Sequence, residues 1–169
     1  MTSRSLLLLP IFILSLSFTA CDSGGPDIGL DRGAIVPDFT LPDVEGKTID
    51  FKKDMGRGNT YLLFWSSSCV SCKEGMVVLE KVYKKSKEQG FSVFAVNVYQ
   101  DKNTVTDFIK ELGLTYPVLL DKKGTVATAY GVYAVPVAFV IDSRGKVLDK
   151  FLGEMTKENV EAFLEEYWS

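Results

Sequence analysis

Two cysteines separated by only two residues, Cys69 and Cys72, follow closely on the uninterrupted apolar segment "TYLLFW" at 60–65. A continuous apolar run of this length is typical of a strand covered on both faces of a sheet. The apolar residues after the cysteines repeat at helical spacing, which predicts a helix from Cys69 to about Gln89 with Gly90 as its stop. The cysteine pair therefore lies where a buried strand leads into a helix.

A cysteine at the start of a helix is stabilised as a thiolate, because unpaired backbone N–H groups and the positive end of the helix dipole face it. Thiols in this position have pKa values of about 3.5 to 7.5 instead of about 8.5. We therefore expect Cys69 to be the nucleophile. Cys72 lies one helical turn further along, and we expect it to resolve a mixed disulfide formed by Cys69.

Two other roles for the pair compete with redox chemistry. A tetrahedral zinc site needs four ligands such as cysteine and histidine, whereas this chain has three cysteines and no histidine. We expect no metal site, although a site shared between two chains stays open. The second alternative is a structural disulfide, but a ring closed over so few residues constrains the unfolded chain little.

Residues 1–20 differ in composition from the rest of the chain. Arg4 is their charged residue, and an apolar segment shorter than the ~20 residues of a membrane-spanning helix leads to small residues before Cys21. This pattern predicts an export signal. The end of the signal, "FTAC", resembles a bacterial lipobox, in which Cys21 becomes the lipidated first residue, although Phe18 replaces the usual leucine. An uncleaved anchor and an unmodified odd thiol are the alternatives.

Composition predicts one domain and no nucleic-acid partner. A chain of 169 residues with 46% hydrophobic content can bury one ordinary core. The net charge is −3 and the lysines are scattered among acids, so no basic patch is expected. Residues 21–33 are rich in glycine and aspartate and lack periodicity, which predicts a flexible tether. The folded domain is expected at 34–169.

Strand and helix patterns alternate along this domain, which predicts an α/β fold with a sheet covered on both faces. A hairpin with its turn at Glu45 and Gly46 comes first, from alternating apolar residues between Phe39 and Phe51. The elements predicted after the first helix are strands at 91–98, 116–120, 136–142 and 146–152, and helices around 105–112, 125–130 and 160–167.

The order of these segments resembles the thioredoxin superfamily and, within it, the membrane-tethered, extracytoplasmic TlpA/ResA-like thiol:disulfide oxidoreductases. The resemblance covers 34–169 and rests on "LLFW", "CVSCK", "VFAVNV", "YPVLLD" and "YGVYAVPVAFVIDSRGKV". It implies a thioredoxin-like fold, with a central mixed sheet flanked by helices and an N-terminal hairpin. It also implies an inserted strand and helix between Asn97 and Tyr130.

The same resemblance implies a cis-proline opposite the disulfide, at Pro136, although only about 5–6% of X–Pro bonds are cis in general. A cis bond there would leave the backbone of Val135 free to pair with an extended partner segment beside Cys69. The residues expected to contact such a partner are Trp65, Ser68, Val70, Ser71, Val135 and Pro136.

Several positions near the cysteines depart from the family pattern. Leu63 stands where relatives carry a buried Asp or Asn, and Gly75 and Gln100 stand where many carry glutamates. The sequence therefore offers no obvious proton acceptor for Cys72. Asp101 would serve only if the loop before it folded back.

These features predict a lipid-anchored thiol:disulfide oxidoreductase exported to the periplasmic or cell-surface face of a bacterial membrane. Its expected partners are exported thiol or disulfide proteins, including apocytochrome c if it is a reductant in cytochrome c maturation, and a membrane thiol carrier as electron donor. No dissociable cofactor is expected, because the electrons reside in the cysteine pair. A peroxiredoxin-like peroxidase and a non-enzymatic thioredoxin-fold binding module are the alternatives. The motif does not determine whether the protein reduces, oxidises or isomerises disulfides.

Overall fold

The computed structural model of the protein describes residues 29–167. Within this range, the strands are β1 Thr40–Pro42, β2 Thr48–Asp50, β3 Thr60–Trp65, β4 Ser92–Val98, β5 Val118–Asp121, β6 Val137–Ile141 and β7 Val147–Leu152. The α-helices are α1 Phe51–Asp54, α2 Val70–Ser86, α3 Lys102–Leu112, α4 Thr125–Ala129 and α5 Lys157–Glu165.

Five strands form the central sheet in the order β5-β4-β3-β6-β7, and β1 and β2 form the separate N-terminal hairpin. β4 runs parallel to both β3 and β5, whereas β6 is antiparallel to β3 and β7. This mixed sheet flanked by helices confirms the predicted thioredoxin-like fold. α3 and β5 lie between Asn97 and Tyr130, where the resemblance predicts an inserted strand and helix.

The central strand β3 is buried along its whole length, as its apolar run predicts. Its side chains alternate between two cores. Leu62 and Phe64 pack in the core on the hairpin side of the sheet. Tyr61, Leu63 and Trp65 pack in the core that α2, α3 and α5 cover on the other side. Both faces of the sheet are therefore covered, so reactive side chains are accessible only where the strands end.

α2 begins immediately after Cys69 and ends at Ser86, with a 3₁₀ turn at Lys87–Gln89 before Gly90. Gly90 adopts a left-handed backbone conformation with φ of 91°. This conformation suits glycine because it has no Cβ to clash with the preceding turn. The predicted helix start and its stop at Gly90 are both present.

Phe51 is where the structure departs from the predicted hairpin. The alternating pattern extends the second strand to Phe51, but that residue begins the short helix α1. The helix starts there because the Asp50 side chain accepts a hydrogen bond from the backbone N–H of Lys53. Phe51 is nevertheless buried, with its ring stacked on Phe39 at a centroid distance of 4.6 Å.

Residues 29–33, which the sequence assigns to the tether, are held against the domain. The backbone N–H of Gly29 donates to the carbonyl oxygen of Gly131 at 2.9 Å. Arg32 forms a two-pronged ion pair with Asp149 on β7. The predicted signal, Cys21 and the rest of the tether lie outside the described residues. From residue 29 to 167, no helix is long and apolar enough to cross a membrane.

Candidate active site

The chemistry-bearing segments meet at one edge of the sheet. β3 and β4 are parallel, so the loop before Cys69 and the loop at Gln100 both leave the sheet at this edge. β6 runs antiparallel to β3 and begins at Val137, which pairs with Phe64. The residue before β6, Pro136, is therefore brought to the same edge.

Cys69 and Cys72 are joined by a disulfide, with their Cα atoms 5.4 Å apart. Cys69 is partly exposed, whereas Cys72 is completely buried in the core beneath α2. A partner disulfide or thiol can therefore approach Cys69 and cannot reach Cys72 directly. This difference in access agrees with the expected order, in which Cys69 attacks and Cys72 resolves.

Cys69 also occupies the N-cap position of α2, and no side chain in the described structure caps this helix. The first turn of α2 contains no acidic residue. When the disulfide is reduced, the N–H groups of the first turn and the helix dipole are available to stabilise a thiolate on Cys69.

Gln100 holds the loop that carries Cys69. Its Oε1 accepts a hydrogen bond from the backbone N–H of Ser67 at 2.7 Å, and its Nε2 donates to Ser67 Oγ at 2.7 Å. The same Oε1 accepts from the Nδ2 of the buried Asn97 at 2.8 Å. The sequence identifies Gln100 only as a position lacking a glutamate. Its bonds to Ser67 span 33 residues and leave no signal in the local sequence.

The Val135–Pro136 peptide bond is cis, as the resemblance implies. Val135 lines the same groove as Cys69. Within the described chain, the backbone of Val135 makes no hydrogen bond, so it remains free to pair with an added strand.

Two grooves meet at Ser68 and Val135. The first, here called the aromatic groove, includes Ser68, Tyr99, Gln100, Tyr133 and Val135 in its lining. The second, here called the acidic groove, is lined by Ser68, Cys69, Val70, Ser71, Glu74, Val135, Glu154 and Thr156. The structure thus places Ser68, Val70, Ser71 and Val135 around Cys69, and their contact with a partner stays a prediction.

Trp65 does not belong to this surface, and its predicted role in partner contact is corrected. It is completely buried and packs on Phe108 of α3, with a ring-centroid distance of 5.0 Å. As the last residue of β3, its side chain points to the face that α2 and α3 cover. Proximity to Cys69 in sequence therefore does not place Trp65 at the surface.

Asp101 does not replace the missing acids. Its carboxylate caps α3 and accepts hydrogen bonds from the backbone N–H groups of Asn103 and Thr104 and from the Thr104 hydroxyl. These hydrogen bonds, that from the Thr104 backbone most strongly, lower the pKa of Asp101. The carboxylate of Asp101 is therefore engaged at the start of α3 and does not act as the proton acceptor for Cys72.

Neither Tyr99 nor Tyr133 was among the partner-contacting residues predicted from the sequence. Tyr99 and Tyr133 are 67% and 78% exposed and both line the aromatic groove. Each follows a different strand or helix in an irregular loop. An isolated tyrosine in a loop carries no periodicity from which its position could be inferred.

A mixed sheet, a disulfide whose exposed cysteine begins a helix, and an adjacent cis-proline define a thioredoxin-like thiol:disulfide oxidoreductase. The Redoxin family profile matches residues 31–164, so the chain belongs to the Redoxin family. Within it, the chain is similar to ResA-type enzymes, and it is itself an oxidoreductase of thiols and disulfides.

Three comparisons illustrate this relationship. The thiol-disulfide oxidoreductase ResA of Bacillus thuringiensis subsp. konkukian is 36% identical over 80% of this chain and 78% of the relative. ResA of Halalkalibacterium halodurans is 34% identical over 95% of this chain and 91% of the relative. A Chlorobium tepidum structure described as a thiol:disulfide interchange protein DsbE has a TM-score of 0.74 and 31% identity, covering 81% of this chain and 95% of the other.

Proposed function

We propose that this protein is a lipid-anchored, extracytoplasmic reductant of disulfides in exported proteins, with apocytochrome c as a substrate during cytochrome c maturation. The observation that supports the exchange reaction in this proposal most directly is the asymmetry of the cysteine pair. Cys69 is accessible at the start of α2, and Cys72 is buried behind it. The names of the ResA relatives support the reaction class.

In the reduced protein, the Cys69 thiolate attacks one sulfur of a partner disulfide. A mixed disulfide forms, and the second partner sulfur leaves as a thiolate that takes a proton from solvent. Deprotonated Cys72 then attacks the Cys69 sulfur, which closes the Cys69–Cys72 disulfide and releases the first partner sulfur. Two electrons pass from the protein to the partner. No dissociable cofactor is needed.

A membrane thiol carrier restores the reduced protein by the reverse exchange. The dithiol of the carrier becomes a disulfide as the Cys69–Cys72 bond is reduced. Attachment through a lipid on Cys21 would keep the protein at the membrane surface where such a carrier is found. The "FTAC" sequence supports this anchor, and replacing Cys21 by serine should release the protein from the membrane fraction or block its processing.

The deciding experiment measures the reduction potential of the protein and its rate of reduction of a disulfide-closed Cys-x-x-Cys-His peptide. A potential near about −270 mV and rapid peptide reduction, abolished in Cys69→Ser, are expected of a reductant. A value near about −120 mV would make the protein an oxidant instead. Peroxide consumption would indicate a peroxidase, and undiminished partner binding without exchange would indicate a binding module.

A further inference from the structure

The two grooves that share Ser68 and Val135 differ in chemistry. The aromatic groove has a volume of about 430 Å³, within the ~300–1,000 Å³ range of ligand pockets. Among the residues described, its lining contains no charged side chain. In the acidic groove, which Cys69 also lines, the charged residues are Glu74 and Glu154. Ser68 and Val135 line both grooves, so an extended segment that pairs beside Val135 would contact both.

The backbone at Tyr99 has an unfavourable conformation that holds its ring in the aromatic groove. Within the described chain, Tyr99 is the non-glycine residue with a left-handed backbone, at φ of 61°. This conformation is unfavourable for a residue with a bulky side chain. Its ring lies over Gly124, where a Cβ atom would come within 2.2 Å of the ring. The left-handed backbone and the absence of a side chain on Gly124 together hold an exposed aromatic ring in the lining of the aromatic groove.

Exposed apolar side chains concentrate at this site. Tyr99, Tyr133 and Val70 are three of the five large hydrophobic residues that stand exposed between residues 29 and 167. Val70 is 91% exposed and directly follows the attacking cysteine. Such a concentration of exposed apolar side chains in two adjoining grooves, one of them lined by the attacking cysteine, is typical of a surface that binds a partner.

The acidic groove adds a charge preference. Within 29–167, Glu154 forms no ion pair, and its side chain is exposed. Glu74 lines the acidic groove and also a separate groove. That separate groove contains Lys73, Lys81 and Lys157. The carboxylates beside Cys69 therefore favour a cation in the acidic groove itself and disfavour an anion there.

We propose that this enzyme selects extended partner segments that place a large apolar or aromatic side chain in the aromatic groove and a basic side chain in the acidic groove, the two grooves that meet at Ser68 and Val135. The inference rests on the proposed exchange with protein partners. It adds to that function the substrate class that the site accepts.

The test uses the reduced full-length protein and short peptides, each with one cysteine activated as a mixed disulfide with thionitrobenzoate. Release of the coloured thiol gives the rate constant. One flank of the cysteine carries Phe or Ser and the other Lys or Glu, and both orders are made. In one order, the Phe/Lys peptide should react about tenfold faster than the Ser/Glu peptide, the scale of one buried side chain with a favourable charge. Added salt should reduce only the preference for Lys.

Matched variants assign each preference to its groove. Tyr133→Ser and Tyr99→Asn, which keeps a residue that tolerates the left-handed backbone, should remove the preference for Phe and leave that for Lys. Glu74→Gln with Glu154→Gln should do the reverse. Ile35→Ser and Glu158→Gln, exposed changes outside both grooves, should change neither.

Reduction of a small disulfide without side chains distinguishes failure of the proposed selectivity from failure of the proposed exchange function. If it is reduced normally while the peptides differ by less than twofold, the proposed selectivity is overturned and the exchange function stands. If the small disulfide is not reduced either, both are overturned.

Discussion

Cys69 and Cys72 share one bond but have different surroundings. The first caps a helix at the surface, and the second is enclosed by the core. Burial of Cys72 in apolar surroundings disfavours its thiolate once the disulfide is opened. The two sulfurs are therefore expected to differ in reactivity once the disulfide is opened.

After mild reduction, iodoacetamide should modify Cys69 at least about tenfold faster than Cys72 at neutral pH, because only the thiolate reacts. Peptide mapping by mass spectrometry measures both rates in one sample, and the single variants Cys69→Ser and Cys72→Ser serve as controls. Equal rates, both matching a free thiol, would contradict the assignment of the nucleophile.

Gln100 is the position at which an acid can be restored to the site without displacing the loop. A carboxylate there would keep the acceptor for Ser67 N–H and for Asn97, and would accept from the Ser67 hydroxyl where the amide now donates. If the added carboxylate reaches Cys72 directly or through one water, we expect Gln100→Glu to accelerate decay of the mixed disulfide near neutral pH, because it then supplies a proton acceptor. In the wild type, this rate should rise with pH from 6 to 9.

Stopped-flow measurement of mixed-disulfide decay tests this expectation, with Cys72→Ser as the blank. Gln100→Met, of similar length but without hydrogen-bonding groups, separates loss of the loop contact from gain of the acid. A wild-type rate that is already flat across the pH range would show that another base serves Cys72.

At the scale of elements, α2 packs against α5 and the segment before it at Gly75. A Cβ atom on Gly75 would lie 2.6 Å from Met155 Cβ and 2.8 Å from the Met155 carbonyl oxygen. Both groups have little freedom to retreat, since Met155 is completely buried. Gly75→Glu, which would restore a family glutamate, therefore conflicts with the packing of this chain.

We predict that Gly75→Ala lowers the free energy of unfolding by about 1–2 kcal/mol. Alanine favours an isolated helix over glycine by about 0.5–1 kcal/mol, but overpacking a core costs about 1–3 kcal/mol, and contacts this short make the clash dominant. Urea unfolding measures the change. The loss should be slightly smaller when Met155→Ala is already present, because the third close contact, with Met155 Cε at 2.9 Å, is then removed while those with Cβ and the carbonyl oxygen remain. A stabilised Gly75→Ala protein would refute the argument.

Elements and site residues differed in how far the sequence could predict them. β3, α2 and the stop at Gly90 follow from local periodicity and from glycine chemistry, so they were predictable. Pro136 was found only through the family resemblance. The burial of Trp65 and the contacts of Gln100 depend on which strands pair and on loops distant in sequence. Local pattern contains no information on such contacts.

At the scale of the whole molecule, Asp149 joins both ends of the described chain to β7. Arg32 from the N-terminal segment and the hydroxyl of Tyr167 after α5 both donate to its carboxylate. Burial alone would raise the pKa of Asp149, but the hydrogen bonds from Tyr167 and Arg32 outweigh it, so the pKa lies below the ordinary value of 3.8. The ionised carboxylate therefore stabilises the folded chain.

Because the folded-state pKa is lowered, this stabilisation is complete above about pH 4 and is lost as the pH falls through the folded-state value. Asp149→Asn should lower Tm by roughly 3–8 °C at pH 7. The difference between wild type and variant should shrink below about pH 4. Thermal unfolding followed by circular dichroism at pH 7, 5 and 3 tests this, with the exposed Asp107→Asn as control. A difference that stays constant down to pH 3 would contradict it.

The hydrogen bond between Gly29 and Gly131 also limits how far the reactive face can lie from a lipid on Cys21. Gly131 lies two residues before Tyr133 of the aromatic groove, so the described chain begins close to the reactive face. If Cys21 carries the lipid, the eight residues from Cys21 to Gly29 can extend at most about 26–29 Å. The domain would then stay within this distance of its lipid. It could reach cysteines presented at the bilayer surface and could not follow a partner into the surrounding compartment.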